Sequence, residues 1–344
     1  MKMIKVLGIE TSCDETAVSV VSSDRKILSN QIASQISEHN LYGGVVPEVA
    51  SRSHMNNLDS LIDKALTESE CQLNDLDAIA VTAGPGLIGG VIVGVMYAKS
   101  IAAALGKPLI AVNHLEGHAL TARLTDNVDF PFLLLLVSGG HTQFLLVKNV
   151  GKYTQLGVTL DDAIGEAFDK CAKMLGLGYP GGPMIEKAAV EGDGLKFKFP
   201  HPLCNQKNCD MSFSGLKTAV LKESKLHSSK TPGLVSDIAA SFQKTVSDVL
   251  RIKTKIAMSK FVEMIPEAKR TFVVSGGVAS NKVIRSSLQQ VCLENNFNFC
   301  APPVNLCTDN AAMIAWVGIE KFYYDEFADF DFQPRSRWSL DSNA

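Results

Sequence analysis

No C-x-x-C pair occurs among the eight cysteines, which fall at positions 13, 71, 171, 204, 209, 292, 300 and 307. That argues against a zinc ribbon or a thioredoxin-like site. Cysteines scattered this way read as free thiols in a reducing compartment. Net charge is also scarce, at -3 over 344 residues. With no global basic field, RNA binding has to come from local patches or from a partner. The P-loop pattern G-x-x-x-x-G-K-[ST] is missing, and no Gly-rich turn carries a Rossmann fingerprint with its acidic ribose ligand. Long uninterrupted apolar runs are missing too. The nearest to one, Gly86 to Ala104, holds further glycines and a polar Lys99-Ser100, and reads as a loop and a buried helix. Met1 to Lys5 leads into a strand pattern with no signal peptide and no Arg/Ser-rich transit segment, so the expected location is cytoplasmic.

What is present is a globular composition, 46% hydrophobic and 20% charged, long enough for two domains or one duplicated unit. Val6 to Glu10 and Ala17 to Val21 are short apolar runs around the polar turn Thr11 to Thr16. Roughly 130 residues later Phe132 to Val137, Ser138 to Thr142 and Phe144 to Val147 repeat that layout. The repeat reads either as an internal duplication or as two ordinary hairpins. The expected α/β division is an N-terminal subdomain over 1–112, joined by a C-terminal helix at about 309–325, and a second over 113–308. A polar, basic insertion is expected at about 193–230. Leu160-Asp161-Asp162 reads as a helix start, and Asp309 as the N-cap of the last helix.

Gly-rich turns follow apolar strands at Gly84 to Gly90, Ser138 to Thr142 and Ser275 to Asn281. Glycine lets a backbone approach a ligand, and free amides at a helix start bind anions. One such turn is usually structural; three point to a phosphate or nucleotide cleft. His114-Leu115-Glu116-Gly117-His118 sets two imidazoles at i and i+4, on one face of a helix. The pair is a candidate metal site or a chance spacing, and Asp309 is a candidate third ligand. In the protease motif H-E-x-x-H the Glu directly follows the first His. Here Glu116 lies roughly 200° around the helix from His114, off the metal face. Asp14, Glu15 and Asp169 are further candidate polar groups, equally explicable as turn or capping acids. Between Lys196 and Lys230 seven lysines interleave with Phe197, Phe199 and Phe213, which suits either an RNA-facing surface or a solvated loop.

Taken together these stretches resemble one family over nearly the whole chain. The residues that carry the resemblance are GIETSCDET (8–16), GGVVPEVAS (43–51), TAGPG (82–86), HLEGH (114–118), VSGGHT (137–142), GEAFDK (165–170), YPGGP (179–183), FSGLKT (213–218) and CTDN (307–310). The family is the bacterial and organellar tRNA N6-adenosine threonylcarbamoyltransferases, formerly called O-sialoglycoprotein endopeptidases. The resemblance implies an actin/Hsp70-like (ASKHA) fold, with two duplicated ribonuclease-H-like subdomains around a cleft. It implies transfer of threonylcarbamoyl from threonylcarbamoyl-adenylate to N6 of adenosine 37, in tRNAs reading codons that begin with A, with release of AMP.

By motif match His114, His118 and Asp309 would hold one divalent metal, Fe(2+) first and Zn(2+) second. Leu136, Val137, Ser138, Gly139, Gly140, Asp169, Gly182 and Asn281 would bind the adenylate. Implied partners are tRNA, a paralogous dimerising subunit, a small P-loop ATPase that uses ATP, and a separate synthase that makes the adenylate. Where relatives read GGVSAN this chain has Gly276-Gly277-Val278-Ala279-Ser280-Asn281, which keeps the Asn in place. The expected mechanism has no covalent enzyme intermediate, with His141 as the candidate general base. The alternatives are a metalloprotease, for which Glu116 is misplaced, and a chaperone-like ATPase on the same fold.

Overall fold

The computed structural model describes residues 2–226 and 233–341, so Lys230 of the basic stretch lies outside the described residues. The chain divides into two compact units: 1–127 with 150–152 and 308–344, and 128–149 with 153–307. The first takes in the HLEGH segment at 114–118, on the far side of the boundary expected at 112/113, and it also takes in the last helix.

In the first unit the strands are β1 (Lys5–Glu10), β2 (Glu15–Ser22) and β3 (Ile27–Ser34). Helices α1 (Ile36–Asn40) and α2 (Pro47–Glu68) follow, then β4 (Ala78–Gly84), α3 (Ile88–Leu105), β5 (Leu109–Asn113) and α4 (His114–Asp126). The sheet order is β3-β2-β1-β4-β5. β1 pairs antiparallel with β2 and parallel with β4. The central strands β1 and β4 are buried almost throughout, as near-continuous apolar runs should be. Among the described residues one helix, α3, is long and apolar enough to cross a membrane. Here it lays Val91, Val95, Ala98 and Ala102 into the core of the first unit, with Leu7, Ile9 and Val81.

The second unit repeats the plan. β6 (Phe132–Val137), β7 (Thr142–Asn149) and β8 (Lys152–Val158) lead into α5 (Ile164–Met174), α6 (Gly181–Ala189), α7 (Ser214–Leu226) and α8 (Leu234–Met264). β9 (Thr271–Ser275), α9 (Lys282–Glu294) and β10 (Asn298–Cys300) close it, and α10 (Ala311–Phe322) returns to the first unit. The sheet reads β8-β7-β6-β9-β10, the same order as the first, with β6 antiparallel to β7 and parallel to β9. The repeat of hairpin plus parallel strands is therefore a duplication. Between Ala189 and Ser214 there is no helix or strand, as the polar composition there suggests.

Candidate functional site

The HLEGH segment becomes α4 because Asn113, last residue of β5, caps it. Its side-chain Oδ1 accepts the Leu115 N–H at 2.9 Å. His114 is thus the first helical residue, at the end of a buried strand. Gly117 has a steric reason to be there: a Cβ would sit 3.0 Å from Met313 and Ile314 of α10. Without that Cβ, α10 lies close against α4, and Asp309, two residues before α10 begins, reaches the histidines. It is not the N-cap; Asn310 takes that role, accepting the Met313 N–H at 3.0 Å.

Asp309 Oδ1 lies 3.1 Å from His118 Nε2 and 3.5 Å from His114 Nε2. The three donor atoms lie within 4.8 Å of one another, so one ion could meet all three. The rings meet edge to face, their centroids 4.8 Å apart. Behind His114 stands Glu10, fully buried at the end of β1, its Oε2 2.9 Å from Nδ1. Glu10 is held in turn by the Thr82 hydroxyl and the Ser12 N–H, each at 2.5 Å. A carboxylate behind one ring nitrogen fixes the tautomer and turns the other toward a metal. Glu10 was not among the sequence candidates. Its signal was an acid ending an otherwise apolar strand.

The electrostatics favour a cation. Burial opposes charge on His114, yet Glu10 and Asp309 lift it to about 9. Burial also opposes charge on Glu10, but the His114 ring and the Ser12 side chain bring it below the usual carboxylate range. Glu15 is pushed up to about 10, by burial first and then by Asp309, Asp14 and Glu10. Carboxylates this crowded cannot all ionise without a positive charge among them. The residues therefore fit a divalent metal. Glu116 faces elsewhere, accepting the Gly151 N–H at 2.9 Å and pairing with Lys321 at 3.1 Å. That commitment removes the water activator a metalloprotease would need.

In the second unit the Ser138–His141 turn closes on itself. Ser138 N donates to the His141 carbonyl at 2.8 Å and His141 N to Ser138 Oγ at 3.1 Å. Leu136 and Val137 are buried strand residues and His141 is half-buried, whereas Gly139 and Gly140 are exposed. The turn lies on the start of α5, where Gly165 N donates to Ser138 O and Glu166 N to Gly139 O, at 3.3 and 3.1 Å. A Cβ on Gly165 would sit 2.7 Å from Gly139 Cα, so only glycine permits this approach. Asp169 Oδ1 accepts the Gly181 N–H at 2.7 Å at the start of α6, and the space beside Gly182 is open. Asn281 caps α9 through Ile284 N at 3.0 Å and donates to Gln243 at 2.8 Å. Glu186 of α6 accepts the Lys282 N–H at 2.8 Å. The turn thus joins α5, Asp169 of α5 joins α6, and α6 joins the start of α9.

The expected helix start at Leu160-Asp161-Asp162 is not one. α5 begins at Ile164, and Asp161 instead caps α7 from a distance, through Phe213 N at 2.8 Å and both the Ser212 and Ser214 hydroxyls at 2.6 Å. Burial opposes its charge, but these donors hold its carboxyl down at about 2. The spacing from Asp161 to FSGLKT gives no sequence signal of this.

Comparison with known proteins bears on what this arrangement serves. Residues 26–316 match the family model of tRNA N6-adenosine threonylcarbamoyltransferase. Relatives of that name from Sinorhizobium medicae and Rhizobium johnstonii are 55% and 54% identical. Each alignment covers 99% of this chain, and 96% and 95% respectively of the relative. Among solved structures, HypF from T. kodakarensis superposes with TM-score 0.63 at 15% identity, over 93% of this chain and 48% of that one. The activator of 2-hydroxyisocaproyl-CoA dehydratase from Clostridium difficile, solved with ADPNP, gives 0.52 at 14%, over 95% and 99%. At such identities these two show the fold alone, the actin-like duplicated α/β type.

Proposed function

The chain belongs to the tRNA N6-adenosine threonylcarbamoyltransferase family, and from that premise we propose how its residues divide the work. It is an acyltransferase that acts on tRNA. The donor is threonylcarbamoyl-adenylate and the acceptor the N6 amine of adenosine 37, in tRNAs reading codons that begin with A. The new bond joins N6 to the carbamoyl carbon. The bond from that carbon to the phosphate oxygen breaks, AMP leaves, and N6 loses a proton.

His114, His118 and Asp309 hold one divalent ion, Fe(2+) first and Zn(2+) second, both of which accept imidazole and carboxylate donors. When bound, such an ion supplies Lewis-acid polarisation and a template for oxygen ligands. Glu10 keeps His114 in the tautomer that leaves Nε2 as a ligand. The adenylate falls to the second unit. Leu136, Val137 and Ser138 shape the turn, and Gly139 and Gly140 offer exposed backbone to the leaving phosphate. Asp169, Gly182 and Asn281 set the nucleoside at the starts of α6 and α9. His141 is the candidate base for the N6 proton. Near-normal turnover of His141→Ala with saturating adenylate and tRNA would sink that assignment.

The dimerising paralogue, the small P-loop ATPase, the adenylate synthase and a cytoplasmic setting complete the proposed context. The observation that carries the reading is the His114–His118–Asp309 donor set with Glu10 behind it. Its test is to incubate metal-loaded protein and partners with unmodified tRNA and threonylcarbamoyl-adenylate. Threonylcarbamoyladenosine should appear in the tRNA digest; its absence overturns the reading.

A further inference from the structure

Resting on the transferase reading, we propose that Arg335, Arg337 and Trp338 form a ledge that seats tRNA phosphates beside the His114–His118–Asp309 cluster. After α10 the described residues, through 341, form no helix or strand, yet their backbone is pinned to the first unit at successive points. Ala328 N donates to Leu109 O and Arg335 N to Ala83 O, both at 2.8 Å. Lys99 Nζ reaches Phe332 O at 2.8 Å, and Gly86 N reaches Ser336 O at 3.3 Å. Asn113 Nδ2 donates to Trp338 O at 3.2 Å.

Three of these anchors, Ala83, Gly86 and Asn113, lie at or just past the last residues of β4 and β5, and β5 runs directly into His114. Asn113 is the residue that caps α4. From Gly86 the chain continues to Leu87, whose N–H meets Ser12 O at 2.8 Å, and the Ser12 hydroxyl lies 3.1 Å from His114 Nδ1. The segment is therefore a fixed wall next to the cluster.

Its side chains are unlike those around it. Arg335 and Arg337 are exposed, and among the described residues neither pairs with a carboxylate. Arg335 stacks 4.8 Å over the half-buried Trp338 ring, which restricts its rotamers. From Gln333 to Leu340 there is no acidic residue. A guanidinium is a planar fork that matches phosphate, and on a pinned backbone it loses little further entropy on binding. In a chain of net charge -3, with an acidic cluster at the site, a polyanion needs local cations to approach. Two free guanidiniums at this place meet that need for the acceptor RNA, whose charge is spread along a backbone.

The test is tRNA binding by full-length, metal-loaded protein over a series of salt concentrations, comparing wild type with Arg335→Ala/Arg337→Ala and Arg335→Lys/Arg337→Lys. The alanine pair should bind tRNA about tenfold more weakly near physiological salt, and its log–log salt slope should fall by about 1 to 2. Metal content and thermal midpoint should stay at wild-type values. The lysine pair, which keeps the charge, should keep most of the slope. Unchanged affinity and slope in the alanine pair overturns the ledge, as does an equal loss in the lysine pair. Loss of adenylate binding with tRNA binding intact also overturns it, in favour of a small-nucleotide contact. If wild type binds tRNA with this salt dependence but forms no modified nucleoside, the transferase reading fails and the ledge stands.

Discussion

The two units carry the same five-strand order and end their first strands differently. β1 ends on Glu10, paired across the hairpin with Ala17; β6 ends on Val137, paired with Thr142. The first hairpin's turn brings Asp14 and Glu15 near the buried Glu10, which holds His114, and near Asp309. The second hairpin's shorter turn exposes Gly139 and Gly140 and lies on the start of α5, from which Asp169 and then Glu186 link the starts of α6 and α9. One scaffold thus concentrates negative charge in one copy and open backbone in the other. The first arrangement suits a cation and the second an anion.

The largest effect that could break this contrast comes from the ligands. His118→Ala or Asp309→Ala should empty the metal site and lower transfer at least about 100-fold, with adenylate affinity unchanged. Elemental analysis beside a binding titration checks both halves, and a joint loss of metal and adenylate would erase the division. Glu10→Gln should leave the ligands in place and weaken metal binding by about 10- to 100-fold, read by competition with a chelator. Asn281→Ala removes a buried cap and its link to Gln243, at about 1–2 kcal/mol of stability. Adenylate affinity should fall about tenfold with metal content unchanged.

A pH series sharpens the contrast further. In metal-free protein the charged His114 ring favours the folded state fully below about 6.5, and that contribution is lost as pH rises through about 9. Glu15 acts in the same direction, since its raised carboxyl loses folded-state preference from about 4.5 up to about 10. The metal-free thermal midpoint should therefore fall between pH 6 and 9, measured by calorimetry, and saturating metal should flatten that fall. An equal fall with and without metal would place the titration elsewhere. The smallest effect is Asp161→Ala, which frees the start of α7 and should cost about 1 kcal/mol by denaturant titration, with metal content untouched.

The sequence made the spacing of His114 and His118 visible, and Asp309 was reachable because acids cluster at helix starts. It could not say which of Asp309 and Asn310 caps α10, since both residue types cap well and only the backbone decides. Glu10 stayed hidden at the end of an apolar run, because one acid there reads as the edge of the strand. Asp161 and Asp162 resembled a first helical turn, while the partner of Asp161 is Phe213, 52 residues on. β8 carries too little apolar alternation to announce itself; only Tyr153 and Gly157 of its seven residues are buried. What periodicity and turn chemistry encode was legible. What depends on residues far apart in the chain was not.

The most direct test of the division between the units is a single-turnover assay of metal-free His118→Ala with saturating adenylate and tRNA. The account predicts normal adenylate binding and less than about one hundredth of the wild-type yield of threonylcarbamoyladenosine. Product formed at the wild-type rate would contradict it.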